Sequence, residues 1–252
     1  MKASRKVRRG FYLLPTLFTI GNLLFGFAAI VLSFRGEIKR AALFIIIAGV
    51  LDLVDGRVAR MTGTTSEFGS EFDSLADIGS FGISPAMLAY AWVLEPFGRA
   101  GWFVAFLFVV CAAMRLARYN IQSGTGERRH FVGLSSPVAA GSLAAVAFAF
   151  PIKPPPGDPA AIALLLLVAT LALLMVSRFR YRSFKDLGLL DRQSYIYVLP
   201  LAIVMIGVLI WPRWAMLAIA ASYLVSAPLA AIGRALMRTE PKKNVSREDL
   251  AR

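Results

Sequence analysis

Apolar runs about 20 residues long follow one another along most of this 252-residue chain, and they limit its fold more than any other feature. A helix crosses the hydrocarbon core of a bilayer with about 17–25 such residues. Eight segments answer to that description: Thr16–Phe34, Ala41–Arg60, Glu67–Val93, Gly101–Asn120, Ser135–Ile152, Pro159–Val176, Tyr195–Trp211 and Ala215–Ile232. Apolar residues make up 58% of the chain and charged residues 17%, against about 45–50% and about 25% in soluble domains. This composition excludes disordered, collagen-like and disulfide-stapled chains. The one cysteine, Cys111, lies in an apolar stretch and reads as a small core residue. The one histidine, His130, excludes a histidine-rich metal site. The expected fold is all-α, a polytopic membrane helical bundle of about eight transmembrane helices.

The formal charge of +13 would point a soluble protein toward nucleic acid. Here the distribution argues for membrane topology and against a nucleic-acid partner. With eight spans both termini share one side, and all but six of the 28 Lys and Arg residues fall there; the exceptions are Arg35, Lys39, Arg40, Arg99, Lys153 and Arg213. By the positive-inside rule that side is cytoplasmic. The basic start and first apolar run superficially match a secretion signal. That run is long, contains Asn22 and continues into FRGEIKR without a small-x-small site, so no cleavage is expected. The sequence reads as one integral-membrane domain over 1–240 and a basic tail over 241–252, with a rigid external loop PIKPPPGDP at 151–159 and no internal repeat.

The second and third spans carry Asp52, Asp55, Asp73 and Asp77, with Glu67 and Glu71 nearby. A charge at the bilayer centre costs about 2.5–3.5 kcal/mol on insertion scales, so these carboxylates need partners. Asp52 and Asp55 are spaced i, i+3, and Asp73 and Asp77 i, i+4, which puts each pair on one helix face. If the two helices turn back on each other through 61–66, the carboxylates converge near the cytoplasmic interface. A hard, oxygen-rich cluster of this kind suits Mg²⁺ or Mn²⁺ better than Zn²⁺. Two divalent cations about 3.5–4 Å apart are a recurring device for displacement at phosphorus. The alternative assigns some aspartates to helix caps or to ion pairs with Arg57 and Arg60. Gly56, Ala59 and Gly69 stand near the aspartates, where small residues either allow close helix packing or admit a flat base.

In order, the motif is Asp52-x2-Asp55-Gly56-x2-Ala59-Arg60-x8-Gly69-x3-Asp73-x3-Asp77. It resembles the signature of the CDP-alcohol phosphotransferase family at every fixed position. The resemblance implies a helical catalytic core over about 13–150, with additional helices over about 159–232. It implies that Asp52, Asp55, Asp73 and Asp77 are metal ligands, that Asp77 is also the general base, and that Gly56, Ala59, Arg60 and Gly69 bind CDP. It also implies a homodimer. Four further stretches, LFTIGNLLFGFAAI, DSLADIGSFGISPA, CAAMRLARYN and FVGLSSPVAA, are similar to bacterial phosphatidylserine synthases of the integral-membrane type. Leu-Ser-Ser-Pro stands where that subfamily more often has a proline after the leucine.

The reaction this implies is CDP-diacylglycerol plus L-serine giving phosphatidylserine and CMP, at the cytoplasmic face of a bacterial-type inner membrane among membrane lipids. A serine acceptor also needs groups for its carboxylate and ammonium. Arg115, Arg118, Asn120, Ser84 and Ser136 are the candidates, the arginines doubling as topology anchors. Two other readings compete. One is the same chemistry with glycerol 3-phosphate, an inositol phosphate or choline. The other is a cation transporter, which would place its ion site on broken helices within paired repeats.

Overall fold

The computed structural model describes residues 3–62, 66–124, 133–155, 157–177, 210–222 and 224, and no β-strand occurs among them. Helix α1 (Ala3–Phe34) turns into α2 (Ile38–Thr62) at Gly36, whose φ of 77° is a left-handed conformation that suits glycine. The turn closes through Gly36 N–H to Ser33 O (3.1 Å) and Glu37 N–H to Leu32 O (3.0 Å). The two helices form an antiparallel hairpin with a buried alanine-rich seam of Ala29, Ala41, Ala42 and Ala48. Phe25 meets Phe44 edge to face, with ring centroids 5.1 Å apart. Small residues suit such seams because, in lipid, association relies on close backbone approach.

The third apolar segment is not one regular helix. After α3 (Glu67–Asp77) come a π-helical stretch, Ile78–Ile83, the short α4 (Ser84–Ala89), a second π-helical stretch, Tyr90–Leu94, and a 3₁₀ turn, Glu95–Phe97. Prolines account for the pattern. Pro85 and Pro96 lack an N–H and crowd the carbonyl four residues back, so the chain widens just before each. Ser84 N–H accordingly reaches Gly79 O, and Glu95 N–H reaches Tyr90 O, both five residues back.

Helix α5 (Arg99–Gly124) packs on α7 (Pro159–Val176), and α6 (Ser136–Ala149) lies against α2. Helix α6 has 14 residues, fewer than the 135–152 span expected from the sequence. Pro137 sets its first turn and Pro151 follows its end, as the residue before a proline disfavours helix. It compensates by burial: Ala139, Ala140, Leu143, Ala144 and Ala147 are all inaccessible. Helix α7 begins at Pro159, capped by Asp158, whose side chain accepts from Ala160 N–H at 2.8 Å. The loop before it is tied down by Lys153, 2.6 Å from Glu95.

Three of these helices are long and apolar enough to cross a membrane, at Thr16–Phe34, Arg99–Ile121 and Pro159–Val176. They coincide with the first, fourth and sixth segments read from the sequence. Helix α2 has the length, but its aspartates and basic residues lower its apolarity. A further helical stretch covers 212–222; most of the seventh segment, much of the eighth and the tail at 241–252 lie outside the described residues.

Candidate metal and phosphate-transfer centre

Helices α2 and α3, both packed on α1, bring the aspartates together. One carboxylate oxygen from each of Asp52, Asp55 and Asp73 lies within 4.8 Å of the other two. Asp77 stands beside this trio, within electrostatic reach of all three carboxylates. Asp55 is buried and the other three are half-buried. Four like charges this close, away from bulk water, repel strongly unless a cation lies among them. Arg57 makes no ion pair with them, which removes it as the structural partner considered from the sequence. Asp73 Oδ1 and Asp77 Oδ1 are buried and receive no hydrogen bond. Orphaned carboxylate oxygens in an all-oxygen cluster fit a hard divalent cation.

Gly56 lies one residue beyond Asp55 on α2. Ala59 and Arg60 lie further along it, with their side chains outside the described residues. Gly69 is in the first turn of α3, where its N–H donates to the Ser66 cap at 3.0 Å.

The five candidate serine contacts separate into different places. Arg115 on α5 donates to Ser136 Oγ at 2.6 Å and also lies within electrostatic reach of Asp77. Asn120 donates to Ser74 Oγ at 3.0 Å, beside Asp73 at the exposed edge. Arg118 is exposed on the same helix. Ser84 is fully buried, and its hydroxyl has no partner. Of the five, Arg115 is the one that the structure ties both to Ser136, by a hydrogen bond, and to Asp77, by electrostatic proximity, among the contacts described.

Sequence reasoning overlooked α1. Thr19, on that helix, is buried and donates its hydroxyl to Asp55 Oδ2 at 3.2 Å, across 36 residues of chain. Gly26, two turns on, is where α1 and the segment after Asp77 nearly touch. A Cβ there would overlap the Ser80 side chain and sit 2.8 Å from its Cα. The signal was present, since Thr16, Thr19 and Asn22 recur every third residue and mark a polar stripe on an apolar helix. Groups that hold metal-binding carboxylates typically matter about 10–100-fold in metal affinity or activity. Thr19→Val is therefore expected to raise the Mn²⁺ concentration for half-activation by about 10-fold or more, with Thr19→Ser near wild type. A metal titration of activity checks this, and an unchanged midpoint in Thr19→Val would refute the role.

Residues 12–180 match the model of the CDP-alcohol phosphatidyltransferase family. The chain belongs to that family. Among its relatives, the CDP-diacylglycerol–serine O-phosphatidyltransferase of Helicobacter pylori strain ATCC 700392 / 26695 is 44% identical over 129 residues, 51% of this chain and 54% of the relative. The enzyme of that name from Bacillus subtilis strain 168 is 33% identical over 174 residues, 68% of this chain and 91% of the relative. An archaetidylserine synthase of Methanothermobacter thermautotrophicus is 39% identical over 132 residues, 52% of this chain and 55% of the relative. The chain spans about half the length of the Helicobacter and Methanothermobacter relatives. The family match takes in α2 to α7 whole and all of the described side chains of α1, so every residue of the centre lies inside it.

Proposed function

We propose that this CDP-alcohol phosphatidyltransferase family member transfers the phosphatidyl group of CDP-diacylglycerol to the hydroxyl of L-serine, giving phosphatidylserine and CMP. The convergence of Asp52, Asp55 and Asp73 beside Asp77 carries the chemistry. The names of the relatives support serine as the acceptor. Two divalent cations, Mg²⁺ or Mn²⁺, would be held by these four aspartates and would neutralise charge at the attacked phosphate and on the departing CMP. Asp77 takes the proton from the serine hydroxyl, whose oxygen bonds to the lipid-linked phosphorus as the bond to CMP breaks. Arg115, oriented by Ser136, receives the serine carboxylate. Gly56, Ala59, Arg60 and Gly69 hold the CDP moiety, along α2 beyond Asp55 and at the start of α3.

The same reading has eight spans, cytoplasmic termini and a site at the cytoplasmic face of the inner membrane. A core over about 13–150 carries the site, the helices over 159–232 are added to it, 241–252 is a basic tail, and the chain pairs as a homodimer. The distribution of Lys and Arg supports the orientation.

The test is transfer by purified protein in detergent, supplied with CDP-diacylglycerol, Mn²⁺ or Mg²⁺ and labelled L-serine. Label in lipid with matching CMP release is expected. CMP release driven by glycerol 3-phosphate, an inositol phosphate or choline, with none from serine, would overturn the acceptor and keep the centre. No CMP with any acceptor, in folded protein, would overturn the catalytic reading.

A further inference from the structure

Asn22 is fully buried on α1, yet neither its Oδ1 nor its Nδ2 has a hydrogen-bond partner. Buried amides almost always find partners, and an orphan with both a donor and an acceptor idle calls for a reason. Its surroundings supply one. Asn22 follows Thr19 by one helical turn on the same face, and Thr19 holds Asp55. A Cβ on the preceding Gly21 would lie 3.2 Å from Leu51 Cδ1, so in this antiparallel hairpin Asn22 lies about level with Val50, further from Asp55 than Thr19 is. On the other flank Ser80 donates to the Asn22 carbonyl at 3.0 Å, and Ser80 lies one turn beyond Asp77. Helix α1 therefore offers two polar rungs: Thr19 beside Asp55, and Asn22 one turn further along, where its carbonyl meets Ser80.

The rungs differ in what lies beyond them. Gly56, Ala59, Arg60 and Gly69 extend from the aspartates toward the 62–67 end of the hairpin. Asn22 is displaced the other way. Direct displacement at phosphorus brings the incoming oxygen in opposite the leaving group. With CMP held at the hairpin end, the acceptor approaches from the side where Asn22 and Asp77 stand.

We propose that Asn22 is a specificity-determining residue that receives the amino-acid part of the acceptor. Its Oδ1 accepts from the ammonium group and its Nδ2 donates to the carboxylate alongside Arg115, which turns the hydroxyl toward Asp77. This rests on the acceptor being serine, as proposed above. It explains why an otherwise apolar helix keeps a costly unpaired amide at this depth, since the partners arrive with the substrate.

The test uses Asn22→Leu, which keeps the side chain's size and removes both polar atoms, with Asn22→Ser as a second, smaller variant. Each full-length protein is assayed in detergent with CDP-diacylglycerol, Mn²⁺ and L-serine, and its thermal melting is recorded. Asn22→Leu is expected to melt at or above wild type, because a buried orphan has gone. Its KM for serine should rise about 10-fold or more, while KM for CDP-diacylglycerol and the Mn²⁺ half-activation point stay within about 2-fold. Wild-type KM for serine in both variants overturns the proposal. So does a shift confined to the Mn²⁺ midpoint, which would make Asn22 a metal-holding group, or lowered melting in both variants with KM unchanged, which would make it structural. If the wild-type protein itself makes no serine-labelled lipid, the acceptor assignment falls and this inference falls with it; an active wild type with an indifferent Asn22 removes only the inference.

Discussion

Asp77→Asn is expected to lower serine-dependent CMP release by about 10²–10⁴-fold, the range associated with loss of a general acid–base group. Asparagine has nearly the shape of aspartate, so packing against Asp52 and the approach of Arg115 survive. What disappears is one of the anionic oxygens of the cluster and, on the proposed mechanism, the acceptor for the serine proton. The check pairs the rate with thermal melting. A large loss of rate in protein that melts at or above wild type assigns the effect to chemistry. A variant with more than about a tenth of wild-type activity would remove Asp77 from the proton-transfer role. Asp73→Asn, measured alongside, separates the two functions of the cluster: it removes an oxygen from the close trio and leaves the residue beside Arg115 untouched.

Removing divalent cations should abolish activity and also change stability in a diagnostic way. Without a cation, Asp52, Asp55, Asp73 and Asp77 repel one another in a half-buried site. A ligand that binds only the folded state at about 100 times its dissociation constant adds about 2.7 kcal/mol. For a chain of this size that corresponds to about 5–10 °C in melting temperature. Wild-type protein should therefore melt higher in Mn²⁺ than in chelator. Asp55→Asn should reverse the pattern, melting above wild type in chelator because one repelling charge is gone, and gaining little from Mn²⁺. Thr19 can still donate to the asparagine carbonyl, so loss of that hydrogen bond does not confuse the comparison. Equal responses to Mn²⁺ in the two proteins would mean that the cation binds elsewhere.

Much of the centre was legible in the sequence because its information is local. Spacings of three and four residues put Asp52 with Asp55, and Asp73 with Asp77, on single helix faces wherever those helices lie. The short link at 61–66 then made an antiparallel pair the simplest arrangement. The serine contacts were harder to read. Arg115, Arg118 and Asn120 share one short stretch of α5, and nothing local says that Arg115 meets Ser136 near Asp77 while Asn120 bonds Ser74. The third segment was read as a continuous span because apolar periodicity does not register a change from α to π turns. Pro85 and Pro96 were the available clue. Helix α6 was read as longer than it is because apolarity runs past the proline that ends it.

By itself, the sequence determined the helical, lipid-embedded class of this protein and the make-up of its acidic motif. Long apolar runs leave the backbone few ways to satisfy its hydrogen bonds in lipid, and helical periodicity converts spacing into shared faces. Only the tertiary structure decided which helix closes the site. Thr19 reaches Asp55, and Asn22 meets Ser80, because α1 packs closely on α2 and on the segment after Asp77, where Gly26 lets the backbones nearly touch. That contact joins residues 36 and 58 positions apart and depends on how three helices fit together. No periodicity within any one of them encodes it.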